Sequence, residues 1–380
     1  MSDYPIYLDN QATTPMDPRV LEAMLPYFKE NFGNPHSEGH SFGWTAGGAL
    51  DQSRALVAKL VGADAREIVF TSGATESCNI ALRGIANKNL KRRKRIVTVA
   101  TEHASVLGTC IALQDDGFEV VILPVQRDGI VDLNIVQEAV NTQTLVVSVM
   151  LANNEIGVIQ PIREISKICQ KVGAYLHTDA TQAVGKIPVD VQFLDVDFMS
   201  FSAHKFYGSK GIGALYTRWG NLDALQPLTT GGGQEIGLRP GTVAVPLVVG
   251  FGEASYIAQK EIKKDMEHTG QLAKKLYTML QDRIPEVQLF GHPLNRLPGN
   301  LSIGFPNVSG EDVIARVGEC LAISTGSACS SVSAEVSHVL EALGIGDDAA
   351  NSGVRISIGR FNRAEEIQKA VDILVEATKY

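Results

Sequence analysis

The chain has 380 residues, 44% of them hydrophobic and 20% charged, with a formal net charge of −8 at pH 7 and five cysteines. That length is enough for a large core divided between two domains. The acidic balance argues against a nucleic-acid-binding surface, and no apolar run approaches the length of a membrane span. Five scattered cysteines, an odd number, suit a reducing cytosol rather than a disulfide frame. The start, Met1-Ser2-Asp3-Tyr4-Pro5, has neither a basic stretch nor an apolar core, so no secretory signal is expected. A cytoplasmic protein follows from these features.

In chain order, Asp17-Pro18 opens a first helix, with aspartate as cap and proline in the first turn. A second helix is expected over Leu50–Val61, closed by Gly62. Strands are predicted at Glu67–Thr71, Ile96–Ala100, Glu119–Val125, Leu145–Leu151, Ala174–Thr178, Phe198–Ser202 and Ile212–Thr217. Amphipathic stretches such as Ile162–Lys171 alternate with them, which argues for a mainly parallel sheet between helices. The basic run Lys91-Arg92-Arg93-Lys94-Arg95 reads as a solvated loop. A long polar helix beginning near Glu253–Glu267 marks a domain boundary, beyond which Asn300–Phe305 and Val354–Ile358 supply strands of a smaller α/β domain.

Three elements carry chemistry. Lys205 lies between the apolar stretch Asp197–Phe201 and a glycine-rich turn, a poor place for a solvated charge. A buried lysine gives up its proton readily and can form a Schiff base with a carbonyl cofactor, although taken alone a paired structural lysine is the commoner case. Asp179 ends another apolar stretch, where it can hold a proton on a pyridine nitrogen or be an ordinary strand-end acid. Phe70–Ser77 reads as strand, tight turn and helix start, suited to a phosphate or to a plain N-cap. Together they ask for pyridoxal 5'-phosphate. The run Gly208-Ser209-Lys210-Gly211-Ile212-Gly213 has the spacing of neither a Walker loop nor a dinucleotide fingerprint. His36 and His40 share a four-residue spacing, but Asn34, Pro35 and Gly39 disfavour the helix a zinc pair needs.

These residues resemble the cysteine desulfurases of the NifS/IscS type, group I, in the class-V aminotransferase branch of fold-type-I pyridoxal-phosphate enzymes. The likeness runs nearly end to end, through Tyr7–Pro15, Phe32–Pro35, Ser72–Glu76, Thr101–His103, Asn153–Gly157, Ser202–Lys205, Gly231–Glu235 and Gly326–Cys329. It implies a large cofactor-binding domain over 15–255. A small α/β domain over 1–14 and 256–380 would carry a catalytic cysteine loop at about 324–337.

The resemblance also implies roles. Lys205 holds the cofactor and later removes the substrate α-proton, while Asp179 pairs with the pyridine nitrogen. His103 stacks on the ring, though a packed strand-end histidine is the plainer reading. Gln182 bonds the phenolic oxygen, and Asn154 lies beside that oxygen and the substrate carboxylate. Thr75, Ser202, His204 and the backbone at Ala74 hold the phosphate. Arg355, whose planar fork suits a carboxylate, binds the substrate together with Asn34. Thr242 reaches the partner subunit's phosphate in a homodimer.

Cys78, Cys110, Cys169 and Cys320 lie in or beside apolar patterns and read as packed thiols. Cys329 differs, because Ser324–Ala334 is a run of small residues that buries almost nothing. A cysteine there resembles the family's persulfide carrier. The implied reaction turns L-cysteine into L-alanine and passes sulfur to a protein acceptor, such as an iron–sulfur scaffold or a sulfur carrier, for cluster assembly or tRNA thiolation. A selenocysteine lyase or a class-V aminotransferase is the alternative within the branch; a non-catalytic scaffold is the alternative outside it. No direct nucleic-acid or membrane contact is expected. The sequence departs from the family at Ile236, at Pro240 in Arg239-Pro240-Gly241-Thr242, and in the single serine before Thr325. It also ends at Tyr380, soon after the last predicted helix, where some relatives carry a longer tail that docks the scaffold; the acceptor is therefore left open.

Overall fold

The computed structural model describes residues 5–89, 93–326 and 337–379. In chain order, β1 (Ile6–Tyr7), α1 (Pro18–Lys29) and α2 (Ser41–Leu60) precede an alternating stretch. That stretch comprises β2 (Ile68–Thr71), α3 (Ala74–Lys88), β3 (Arg95–Val99), α4 (Ala104–Asp115), β4 (Glu119–Leu123), α5 (Leu133–Ala139), β5 (Thr144–Ser148), α6 (Ile162–Val172), β6 (Tyr175–Asp179), α7 (Val191–Leu194), β7 (Phe198–Ser202) and β8 (Gly213–Thr217). There follow α8 (Val245–Arg283), β9 (Gln288–Leu289), β10 (Asn300–Gly304), α9 (Gly310–Val317), β11 (Leu321–Ala322), α10 (His338–Ala342), α11 (Asp347–Asn351), β12 (Gly353–Ser357) and α12 (Ala364–Ala377).

The main sheet has the order β2-β8-β7-β6-β5-β3-β4. β8 runs antiparallel to both β2 and β7, and the other pairs are parallel. β2 therefore points the same way as β3 to β7. β2, β5, β7 and β8 are buried at every position, as strands covered by helices on both faces must be. The predicted strands recur with no end shifted by more than three residues, and Phe198–Ser202 recurs unchanged. The first helix starts where expected, with Asp17 capping the N–H of Arg19.

Several expectations need correction. The second helix starts at Ser41, not Leu50, with His40 as its cap. Gly43, Gly47 and Gly48 depress local helix propensity there, and Phe42 and Trp44 face solvent, so no apolar stripe marks the first turns. The long helix begins at Val245, with Pro246 in its first turn, because Val248, Phe251 and Ala254 enter the core before the polar stretch starts. Arg95 belongs to β3 and pairs with Glu119 at 2.7 Å, while Arg93 donates to the carbonyls of Thr144 and Gly173. Cys320 is exposed, lying in the turn between α9 and β11, whereas Cys78, Cys110 and Cys169 are buried.

A second core surrounds the sheet β12-β10-β9 and contains Leu276, Leu280, Ile303, Phe305, Ile356 and Leu374. The N-terminal residues join it: β1 pairs with β11, and Leu8 is buried there. α8 serves both cores, its first half through Val248 and Phe251 and its second through Leu272 and Leu276.

Candidate active site

Parallel strands deliver their following residues to one edge of a sheet, and ligands bind in α/β proteins at that carboxyl edge. Here the edge carries His103 after β3, Asn154 after β5, Asp179 at the last position of β6 and Lys205 after β7. β2 brings Ser72 and Gly73 to the same edge. They enclose a cavity of about 420 Å³. Of the expected residues, Ala74, Thr75, His103, Asn154, Asp179, Gln182, Ser202, His204, Lys205 and Arg355 line it. Asn34 and Thr242 do not; both are exposed, and Asn34 instead accepts from the His36 N–H at 3.0 Å. Cys329 lies outside the described residues. A depression of about 600 Å³ elsewhere, lined by Glu286, Asp347 and Asp348, has no lysine or histidine in its wall.

Lys205 ends a short 3-10 turn after β7. Its Nζ donates to the carbonyl oxygens of Gln11 and Ala12, both at 2.8 Å. Those carbonyls are held in place by the Gln11 N–H on Ser357 Oγ (2.9 Å) and the Thr14 N–H on the His204 carbonyl (3.0 Å). Asp179 is buried; its Oδ1 accepts from the Thr181 N–H at 2.9 Å, and the Cys78 thiol stands 3.9 Å from Oδ2. Gly73, the cap residue of α3, supplies no side chain, so the first-turn amides at Ala74 and Thr75 are left without a side-chain acceptor. Ser202 sits beside this turn, and its hydroxyl donates to the Ile212 carbonyl at 3.2 Å.

The class-V aminotransferase family model matches residues 6–370. The chain belongs to that family. It is 49% identical over 370 residues to a protein of Rickettsia rickettsii (strain Iowa) named cysteine desulfurase IscS, covering 97% of this chain and 90% of that one. A solved structure described as a NifS-like protein superposes with a TM-score of 0.92 at 38% identity, covering 98% of each chain. Another, described as SspA in complex with cysteine, gives 0.82 at 36% identity, covering 94% of this chain and all of that one.

Within this class-V site, electrostatics assign protonation states. Nδ1 of His103 accepts the Ser105 N–H at 3.1 Å, so the neutral ring carries its proton on Nε2. Burial, with the charges of Lys205, Lys210 and Lys186, pushes His204 down to about 4, so it is neutral near pH 7. Burial and the neighbouring Asp179 raise Glu102 well above the usual carboxylate range. Arg355 is buried; it gives Nη2 to Asp9 at 2.8 Å and to Ser324 at 2.7 Å, and Nη1 to the Asn154 carbonyl at 2.9 Å. Gln11, Ala12, Met150, Thr181 and Lys210 also line the cavity. Sequence reasoning missed them as site residues because Met150 and Thr181 are ordinary side chains, Gln11 and Ala12 act through their carbonyls, and Lys210 lies in a glycine run that matches no phosphate fingerprint. Gln11 and Ala12 lay within the quoted Tyr7–Pro15 motif, which was the available signal. Among the described residues no helix is long and apolar enough to cross a membrane.

Proposed function

We propose that the protein is a pyridoxal-5'-phosphate-dependent cysteine desulfurase, converting L-cysteine to L-alanine and leaving the sulfur as a persulfide on Cys329. The observation that carries the reading is the convergence of Lys205, Asp179 and His103 on one cavity beside the uncapped start of α3. The residues present fit the cofactor. Amides and hydroxyls gather where a phosphate needs donors, and a carboxylate stands at a strand end. Asn154 Oδ1 and Thr181 Oγ1 are buried polar atoms without a protein partner, as expected where a polar ligand completes the bonding.

When bound, the cofactor supplies an electron sink for negative charge at the substrate α-carbon. Ala74, Thr75, Ser202 and His204 would hold its phosphate, Asp179 its pyridine nitrogen, and Gln182 with Asn154 its phenolic oxygen. Lys205 Nζ would hold the cofactor covalently and move the proton at the substrate α-carbon. His103 would stack on the ring and presents its Nε2 proton. Arg355 orients the substrate carboxylate. The Cys329 thiolate attacks the substrate sulfur. An S–S bond forms and the Cβ–S bond breaks, its electron pair staying on the carbon that becomes the methyl group of alanine. Persulfide and alanine account for every atom of thiol and substrate. A protein acceptor, an iron–sulfur scaffold or sulfur carrier, then takes the sulfur.

The same reading divides the chain into a large domain over 15–255 and a small one over 1–14 and 256–380, and makes it a cytoplasmic homodimer. Exposed Leu21, Leu25, Phe28, Phe42 and Trp44 support a subunit interface. The position of Thr242 outside its own cavity suits a reach to the partner's phosphate. Asn34 is proposed to contact substrate only with such assembly.

The test is alanine and sulfide release from L-cysteine with a reductant. Wild type yields the two products in equal amounts. Cys329→Ser keeps the cofactor's visible absorption and cysteine binding but loses sulfide release, and Lys205→Ala loses the covalent attachment. Full activity in Cys329→Ser would sink the persulfide step.

A further inference from the structure

Gln182 is held on both sides by groups of fixed hydrogen-bonding sense. Lys186 lies four residues on, in the turns that follow β6, and its Nζ donates to Gln182 Oε1 at 2.6 Å. On the other side, Gln182 Nε2 donates to the carbonyl oxygen of Gln11 at 2.9 Å. An ammonium only donates and a peptide carbonyl only accepts. Both neighbours therefore specify the same one of the two amide orientations. Gln11 uses one of the two Nε2 hydrogens; Gln182 lines the cavity, so the other is available to a ligand there. The Gln11 carbonyl also accepts from Lys205 Nζ at 2.8 Å, which ties this arrangement to the cofactor-holding lysine.

We propose that Lys186 is a positioning residue: it locks the Gln182 amide with nitrogen, not oxygen, towards the phenolic oxygen of the cofactor. The inference rests on the cofactor reading above and adds to it. A glutamine turned the other way would present an oxygen to an oxygen, and the contact would be repulsive. Without Lys186, Oε1 would be a buried acceptor with no partner, and neither orientation would satisfy the side chain.

The site around Lys186 is otherwise cationic. Lys205 and Arg355 act on Lys186 electrostatically, and His204 feels its charge. The small cavity behind it brings Asp265 and Tyr207 to the same wall. Burial pushes the Lys186 amine well below the ordinary lysine value, with Lys205 and Arg355 adding to the effect. A neutral amine keeps two N–H groups, so donation to Oε1 survives either protonation state.

The test is the pH midpoint of the visible absorption of cofactor-loaded protein, read without turnover. A donor on the phenolic oxygen competes for the lone pairs that hold the proton at the Lys205–cofactor linkage, so losing it raises the midpoint. Lys186→Met is expected to raise the midpoint by about half to one unit, the equivalent of one neutral hydrogen bond. Gln182→Ala should do the same, and Lys186→Met should add nothing in the Gln182→Ala background. Lys186→Gln keeps a donor for Oε1 but no charge, and is expected to retain the wild-type midpoint. Should the methionine protein fail to fold, Lys186→Ala, which also removes the donor to Oε1, is read in its place with the same expected rise. An equal shift from Lys186→Met in both backgrounds, a shifted midpoint in Lys186→Gln, or an unmoved one in Lys186→Met overturns the proposal. Wild-type protein that takes up no cofactor would instead overturn the reading beneath it.

Discussion

A methyl group at Gly213 would meet Gly73 Cα and the Phe201 carbonyl oxygen, each at 2.7 Å. Both neighbours are backbone, so neither can swing aside. The absent side chain lets β8 lie against the turn that opens α3, where phosphate is proposed to bind. Gly213→Ala is expected to lower stability by about 1–3 kcal/mol and to weaken cofactor retention, read by urea unfolding and by cofactor titration of the apoprotein. His177 shows burial acting on charge instead of volume. Both its ring nitrogens bond hydroxyls, Ser148 at 2.8 Å and Ser200 at 2.9 Å, and burial pushes it down to about 4 from 6.5. The folded state then binds fewer protons than the unfolded one. Its contribution is full above pH 6.5 and declines as pH falls towards 4, by up to about 1.4 kcal/mol per unit. His177→Gln should flatten the dependence of the urea midpoint on pH across that window; an unchanged slope would refute the assignment.

Among the elements, α8 does the most to relate the two cores. Its 39 residues form one uninterrupted helix, and its middle, around Lys263 and Lys264, is exposed. Lys264→Pro removes a helical N–H and clashes with the carbonyl of Lys260, at a cost of about 3 kcal/mol, whereas Lys264→Gly costs about 1 kcal/mol. If the helix sets the position of the Arg355 strand relative to Lys205, the proline variant also raises the KM for L-cysteine, while the glycine variant does not. The start of α8 also shows why local reading failed there. Val245–Phe251 is apolar on most sides because the core surrounds it, and a helix without a polar face shows no 3.6-residue period. Strands were easier to read: short β-branched runs bounded by glycine and charge mark the buried parallel interior directly.

For the molecule as a whole, Arg360 joins the two cores. It follows β12 and reaches Asp265 on α8 at 2.7 Å and Asp17, the cap of α1, at 3.0 Å. Its guanidinium carbon lies 4.4 Å from the centre of the Tyr207 ring, just past Lys205. Arg360→Met leaves two partly or fully buried carboxylates short of a cation and is expected to cost roughly 3 kcal/mol. It should also raise the KM for L-cysteine, because Arg355 and Lys205 stand on opposite sides of this link. Thermal unfolding and steady-state kinetics together check it, and a stability loss with an unchanged KM would mean that Arg360 does not align the site.

The order of motifs along the chain already singled out Lys205, Asp179 and the helix-start turn, which the fold brings to one cavity, because each depends on a local pattern: a strand end, a tight turn, a cap. What local patterns could not contain were contacts between segments far apart in the chain. Gln11 and Ala12 meet Lys205 through backbone carbonyls, and every residue type has one. Asn34 and Thr242 carry family signatures, yet they lie outside the cavity of their own chain. The orientation of Gln182 depends on Lys186 and Gln11 acting from opposite sides, a relation set only when the first strand's segment folds back across the end of β6. Hydrogen-bonding sense is chemical and readable from residue types; which groups come within 3 Å of one another is decided by chain packing.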